Sequence, residues 1–190
     1  MKYVAIIILL VAILGTQVAR YFVKPPTFAT PAPDWRAELK AKLPALGHRN
    51  WIVVADSAYP SQSREGITTI VTGEGQTETL KAVLQLIGEC KHIKPNIYED
   101  KELEFVSDED AKGVLAYQIA LKTILKDAPV TVEPHESIIA KLDEAAKTFN
   151  VIILKTDMVF PYSSVFINLD CAYWDDEKQA RLKKALTKKP

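Results

Sequence analysis

A histidine and a carboxylate flank one short apolar run. In Leu46-Gly-His-Arg-Asn-Trp-Ile-Val-Val-Ala-Asp-Ser-Ala-Tyr-Pro60, His48 precedes Trp51–Ala55 and Asp56 follows it. An imidazole, with an ordinary pKa of ~6.5, can give or take a proton near neutral pH. A carboxylate nearby can hold hydroxyl groups or orient such a base. The run reads as a buried strand. Ligands of open α/β sheets gather at the carboxyl ends of strands, so Asp56 stands where a site would be built. A strand of five residues spans ~16 Å, which keeps His48 and Asp56 from touching one small ligand if it is straight. Either the chain bends, or a neighbouring subunit supplies one of the two.

Other chemistries fit less well. Val54-Ala-Asp-Ser57 resembles a nucleophile block with Ser57 as the attacking group, but the residue three before His135 is Val132 rather than an acid that could orient the base. His48, His92 and His135 share no local ligand spacing for zinc. Gly73-Glu-Gly75 lacks the lysine and the length of a phosphate loop and reads as a plain turn. Cys90 and Cys171 lie far apart and read as inert core thiols, with no paired-cysteine metal signature. His92 reads as a helix-end surface residue.

The elements that must position these groups alternate. Gly66–Thr72 is β-branched and reads as a strand, and Thr77–Ile87 has helical spacing. Pro95–Asp100 reads as a strand end or loop. Ser107-Asp-Glu-Asp110 caps a helix over Ala111–Leu125. Val130–Val132, Asn150–Leu154 and Ser164–Asp170 read as strands, and His135–Phe149 as an amphipathic helix. The fold class is therefore α/β: a single domain with a central, largely parallel sheet and flanking helices.

Composition agrees with a folded domain: 48% of the 190 residues are hydrophobic and 25% charged. Twenty-four basic and twenty-four acidic residues cancel, which gives no support to nucleic acid as a partner. The basic cluster Lys183, Lys184, Lys188 and Lys189 reads as a solvated helix end. At the other terminus, twelve apolar residues from Tyr3 to Leu14 follow Lys2. That length suits a signal-peptide core better than a spanning helix of ~20 residues. Residues 1–23 are thus expected to direct export as a cleaved signal peptide or to remain as a membrane anchor. Residues 24–34, with four prolines, form an extended spacer. The globular domain runs over 35–190, with Asp34 capping its first helix, Trp35–Leu43.

The motif Leu-Gly-His48, eight residues to Asp56 and four more to Pro60, resembles the opening motif of the ribose pyranase and fucose mutarotase family. Pro161-Tyr-Ser-Ser-Val-Phe-Ile-Asn-Leu169 resembles its closing motif, and His135-Glu136 a family histidine that opens a helix. The similarity covers scattered motifs from Leu39 to Trp174. It implies a cofactor-free isomerase that interconverts anomers or ring forms of a monosaccharide, built as a homo-oligomeric ring with sites between subunits. By the same resemblance His48 is the acid/base, Asp56 binds and orients sugar hydroxyls, and Tyr162 is a second proton-transfer or binding group. His135, Ser164 and Arg49 would contact the sugar, with no metal. Ser164 departs from the asparagine usual there, exchanging an amide for a hydroxyl, and export is a second departure. The alternative is an exported, non-catalytic sugar-binding or ring-forming structural protein on the same fold.

Overall fold

Strand β1 (Trp51–Ala55) is buried along its whole length. It contains no polar residue, so both of its faces need a core. The computed structural model describes residues 34–187. The expected signal or anchor segment, all of the spacer but Asp34, and Lys188 and Lys189 lie outside the described residues. From Trp35 onward the chain forms one compact unit. Its other strands are β2 (Ile67–Val71), β3 (Ile93–Asp100), β4 (Val130–Glu133), β5 (Val151–Lys155) and β6 (Val165–Cys171).

The six form one sheet in the order β2-β5-β1-β6-β3-β4. β1 and β2 run parallel to β5, and β3 runs parallel to β4. β6 is antiparallel to both of its neighbours, β1 and β3. Five strands therefore send their carboxyl ends to one edge, and β6 starts from that edge. The sheet is mixed but largely parallel, and the segment leading into β6 joins the edge where open sheets bind ligands.

Helices cover both faces. Ile52 and Val54 point toward α1 (Trp35–Lys42), α2 (Gln76–Gly88) and α3 (Val114–Leu125), where Leu39, Leu80 and Leu121 are buried. Trp51, Val53 and Ala55 point the other way, toward Ile138 and Leu142 of α4 (His135–Ala145). This is the period-two alternation of a strand packed on both sides. A fifth helix, α5 (Asp176–Leu186), opens on the Asp175 side chain, which accepts from the Lys178 backbone N–H, and buries none of its own side chains.

Several local readings are corrected. Pro95–Asp100, read as a strand end or loop, is the end of an eight-residue strand, Ile93–Asp100. Its polar residues obscure the pattern. Pro95 is tolerated because β4 pairs only with Ile97–Asp100, leaving that stretch a neighbour on one side. Helix α3 begins at Val114 rather than Ala111. Gly113 before it adopts a left-handed conformation (φ 98°), and its N–H donates to Asp108 Oδ1 at 2.8 Å. Helix α4 stops at Ala145, short of Phe149. Cys90 and Cys171 are free and half-buried; Cys90 packs against the hydrophobic core, whereas Cys171, at the end of β6, is not part of it. His92 is also half-buried, its Nε2 within 3.3 Å of Leu43 O and 3.1 Å of Leu46 O, where it ties down the turn after α1.

Gln76, the first residue of α2, is buried. Its side-chain NH2 donates to Val54 O on β1 and to Ser163 O ahead of β6, both at 2.8 Å. Its Oε1 lies 2.6 Å from Thr156 Oγ1, just past β5. Replacing it (Gln76→Leu) strands these buried groups, so a loss of about 2–4 kcal/mol is expected. It is read as a lower urea midpoint at an unchanged slope.

Candidate functional site

The carboxyl edge of the sheet gathers most of the polar side chains singled out above. Asp56 follows β1 directly, and Ser164 precedes β6 directly. Val54 pairs with Val165, so the two polar residues meet: Ser164 Oγ donates to Asp56 Oδ2 at 2.8 Å. The Asp56 N–H lies 3.2 Å from Ser164 Oγ, and the Ala58 N–H donates to Asp56 Oδ1 at 2.8 Å. Asp56 is thus held as an acceptor in a local turn at a strand end.

On the other side of β6, β3 ends in Asp100. Glu99 pairs with Val165, so Asp56 and Asp100 stand on strands separated by one, about 10 Å apart across the sheet. Asp100 is 2% exposed. Its Oδ2 lies 3.0 Å from His135 Nδ1, and its Oδ1 has no partner among the described residues. Burial raises the Asp100 carboxyl to about 6, against the pull of the His135 hydrogen bond and with a smaller push from Glu102 and Asp56. Nearby Tyr59 is also buried, and its hydroxyl is pushed up to about 12 by burial and by the charges of Asp143, Asp100 and Asp56.

His135 is the first residue of α4, where Pro134 supplies a preset φ and no donor is lost. The His135 backbone N–H, one of the orphan donors of the helix start, donates to both carboxylate oxygens of Glu102 at 3.1 and 3.0 Å. With Nδ1 against Asp100, the Nε2 of His135 has no partner among the described residues. Tyr162 stands beside it, ring centroids 5.6 Å apart and edge-on at 76°.

Tyr162 adopts a left-handed backbone (φ 57°), a conformation that costs a residue with a Cβ about 1–2 kcal/mol. The next residue holds it there. Ser163 O accepts from Gln76 Nε2 at 2.8 Å and Tyr117 Oη at 2.6 Å, while Ser163 Oγ donates to Phe160 O at 2.7 Å. Backbone strain kept in place by buried hydrogen bonds is a mark of functional positions. The arrangement offers a histidine nitrogen, a phenol, a hydroxyl and carboxylates along one edge.

His48 and Arg49 stand elsewhere. The straight run of β1 puts them at the opposite edge, so the chain does not bend to bring His48 to Asp56. His48 Nδ1 lies 2.7 Å from Asp170 Oδ1, and Lys94 Nζ lies 3.6 Å from Asp170 Oδ2. Although partial burial opposes the charge, hydrogen bonds from the Cys171 N–H and His48, with the charge of Lys94, hold the Asp170 carboxyl below its ordinary value. Arg49 lies over the Phe149 ring, 5.8 Å from its centroid. The Gly73–Gly75 turn is occupied by an ion pair between Glu74 and Arg36.

Asp100, Glu102 and Tyr59 were not among the residues singled out from sequence. Asp100 follows the same rule as Asp56, an acid at the carboxyl end of a strand, and becomes visible once Ile93–Asp100 is read as a strand.

No family model matches this chain, and no curated protein matches it. Solved structures similar to it include RbsD of Bacillus subtilis complexed with D-ribose, at 19% identity and TM-score 0.49, over 70% of this chain and 92% of that one. The fucose mutarotase of Streptococcus pneumoniae in complex with L-fucose is similar at 19% identity and TM-score 0.49, over 75% and 98%. FucU of Bifidobacterium longum is similar at 18% identity and TM-score 0.46, over 70% and 94%.

The raised Asp100 carboxyl has a consequence for stability. A carboxyl that holds its proton more tightly when folded adds stability that is complete below the unfolded value, near 3.8, and is lost as pH rises through about 6. The Asp100 contribution should therefore fall between about pH 4 and pH 6. The difference in urea midpoint between wild type and Asp100→Asn should shift across that window in favour of the variant.

Proposed function

We propose that this protein interconverts the anomers or ring forms of a free monosaccharide by acid/base catalysis at the carboxyl edge of its sheet. Opening a cyclic hemiacetal requires one group to take the proton of the anomeric hydroxyl and another to protonate the ring oxygen as the carbon–oxygen bond breaks. Closure on the other face of the aldehyde reverses both transfers. His135 Nε2 takes the first role and the Tyr162 hydroxyl the second, with Asp56 and Ser164 accepting and donating hydrogen bonds to sugar hydroxyls.

The observation that carries the reading is the pairing of His135 with a strained Tyr162 beside the Asp56–Ser164 contact. The motif resemblance supports it independently, since it assigns sugar roles to the same four residues. It also gives His48 an acid/base role, and on this geometry His48 can join that edge only from a second copy. A ring of copies is therefore part of the proposal. So is action outside the cytoplasm, released or tethered through the N-terminal apolar run. The second reading is a non-catalytic sugar binder, favoured by Ser164 standing where the family that the motifs resemble carries an asparagine, an amide exchanged for a hydroxyl.

Saturation-transfer NMR of anomer exchange, with ribose, fucose, galactose and glucose, tests the proposal. Wild type is expected to accelerate at least one sugar, and His135→Gln and Tyr162→Phe each to slow that exchange on the order of a hundredfold or more. Sugar binding without acceleration would support the binder.

A further inference from the structure

The site holds a buried acid that the proton transfers described above do not use. Asp100 is almost wholly enclosed, and its Oδ2 is in hydrogen-bond contact with His135 Nδ1 at 3.0 Å. A carboxylate there accepts the Nδ1 proton of a neutral imidazole, which leaves the lone pair on Nε2. Among the described residues Nε2 is the nitrogen without a partner, on the ring that Tyr162 meets edge-on.

The rest of the histidine is fixed as well. Its backbone N–H is held by the Glu102 carboxylate, and its Cα by the first turn of α4. With the main chain anchored on one acid and the ring on another, His135 has little rotational freedom left. We infer that Asp100 is a positioning residue: it fixes the ring of His135 and sets its Nδ1–H tautomer, so that Nε2 is the atom presented for proton exchange. As a role in catalysis this rests on the sugar-isomerase reading; as a role in orienting the imidazole it stands on the geometry alone.

The groups that face this pair come from several elements. Glu102 projects from the 3-10 turn Lys101–Phe105 after β3, Asp56 and Tyr59 from the loop after β1, and Tyr162 from the approach to β6. Asp143 of α4 acts on Tyr59. Among these only His135 is a base, and Asp100 is the acceptor that its Nδ1–H meets. Removing the Asp100 charge should release the ring from that orientation.

Long-range nitrogen–proton NMR of the His135 imidazole in the full chain reads the tautomer directly. Wild type is expected to be mainly Nδ1–H in its neutral form. In Asp100→Asn the population should shift toward Nε2–H. If a sugar is accelerated, its turnover should fall on the order of a hundredfold in Asp100→Asn with KM little changed. A wild-type neutral imidazole found mainly as Nε2–H would overturn the inference, even if the variant did not fold. An unchanged tautomer in a folded variant would overturn it too. Failure of the wild type to accelerate any sugar would sink the isomerase reading, while the tautomer would still decide the role of Asp100.

Discussion

The primary amide of Gln76 is the contact on which the geometry of the carboxyl edge depends. From a buried position at the start of α2 it reaches the ends of three neighbouring strands. An amide is suited to this because it offers two donors and an acceptor on a rigid plane. Its neighbour Thr156 shares one hydroxyl proton between Ala55 O and Gln76 Oε1 and accepts from the Met158 N–H. The carbonyls at a parallel edge would otherwise face a dry interior unpaired. By capping them from within, Gln76 keeps the loops after β1 and β5 and the approach to β6 in one arrangement. The turn that carries Tyr162 is held through Ser163 by this same amide.

The second constraint is the reversed strand. β6 enters between β1 and β3, so residues that precede a strand and residues that follow strands share one edge. Polar groups far apart in the chain, at 56, 100, 135 and 162–164, are thereby brought side by side. The acids among them differ by surroundings. Asp56 is partly exposed and held by N–H and O–H donors, whereas Asp100 is enclosed with one donor. Desolvation without full compensation favours the proton, and the edge thus holds two carboxyls of different character.

How much of this was legible in the sequence follows from which residues carry an unambiguous pattern. The apolar runs at β1 and β5 have no alternative but burial, and the β-branched run at β2 has few. The acid after β1 was visible because the run before it was clear. Asp100 was hidden because β3 mixes Lys94, Pro95, Asn96 and Glu99 with only two buried isoleucines, Ile93 and Ile97. A polar strand of this kind is recognised by its partners, which are remote in sequence. The tension between His48 and Asp56 was foreseen as a matter of length, and the straight strand resolves it against a shared site within one chain. The reversed direction of β6 had no local signal, since a strand's heading is set by its connections and its neighbours rather than by its own residues.

The terminal helix has a different consequence. Because α5 buries no side chain, it is held by local contacts: the Asp175 cap, Trp174 Nε1–H donating to Gln179 Oε1 at 2.8 Å, and Lys178 Nζ donating to Tyr173 O at 3.2 Å. A substitution along such a segment removes no packing from the core, so most changes there are expected to leave stability nearly unchanged. At eleven residues it extends roughly 16 Å, and its exposed side chains are accordingly natural points for labelling this protein without disturbing the core.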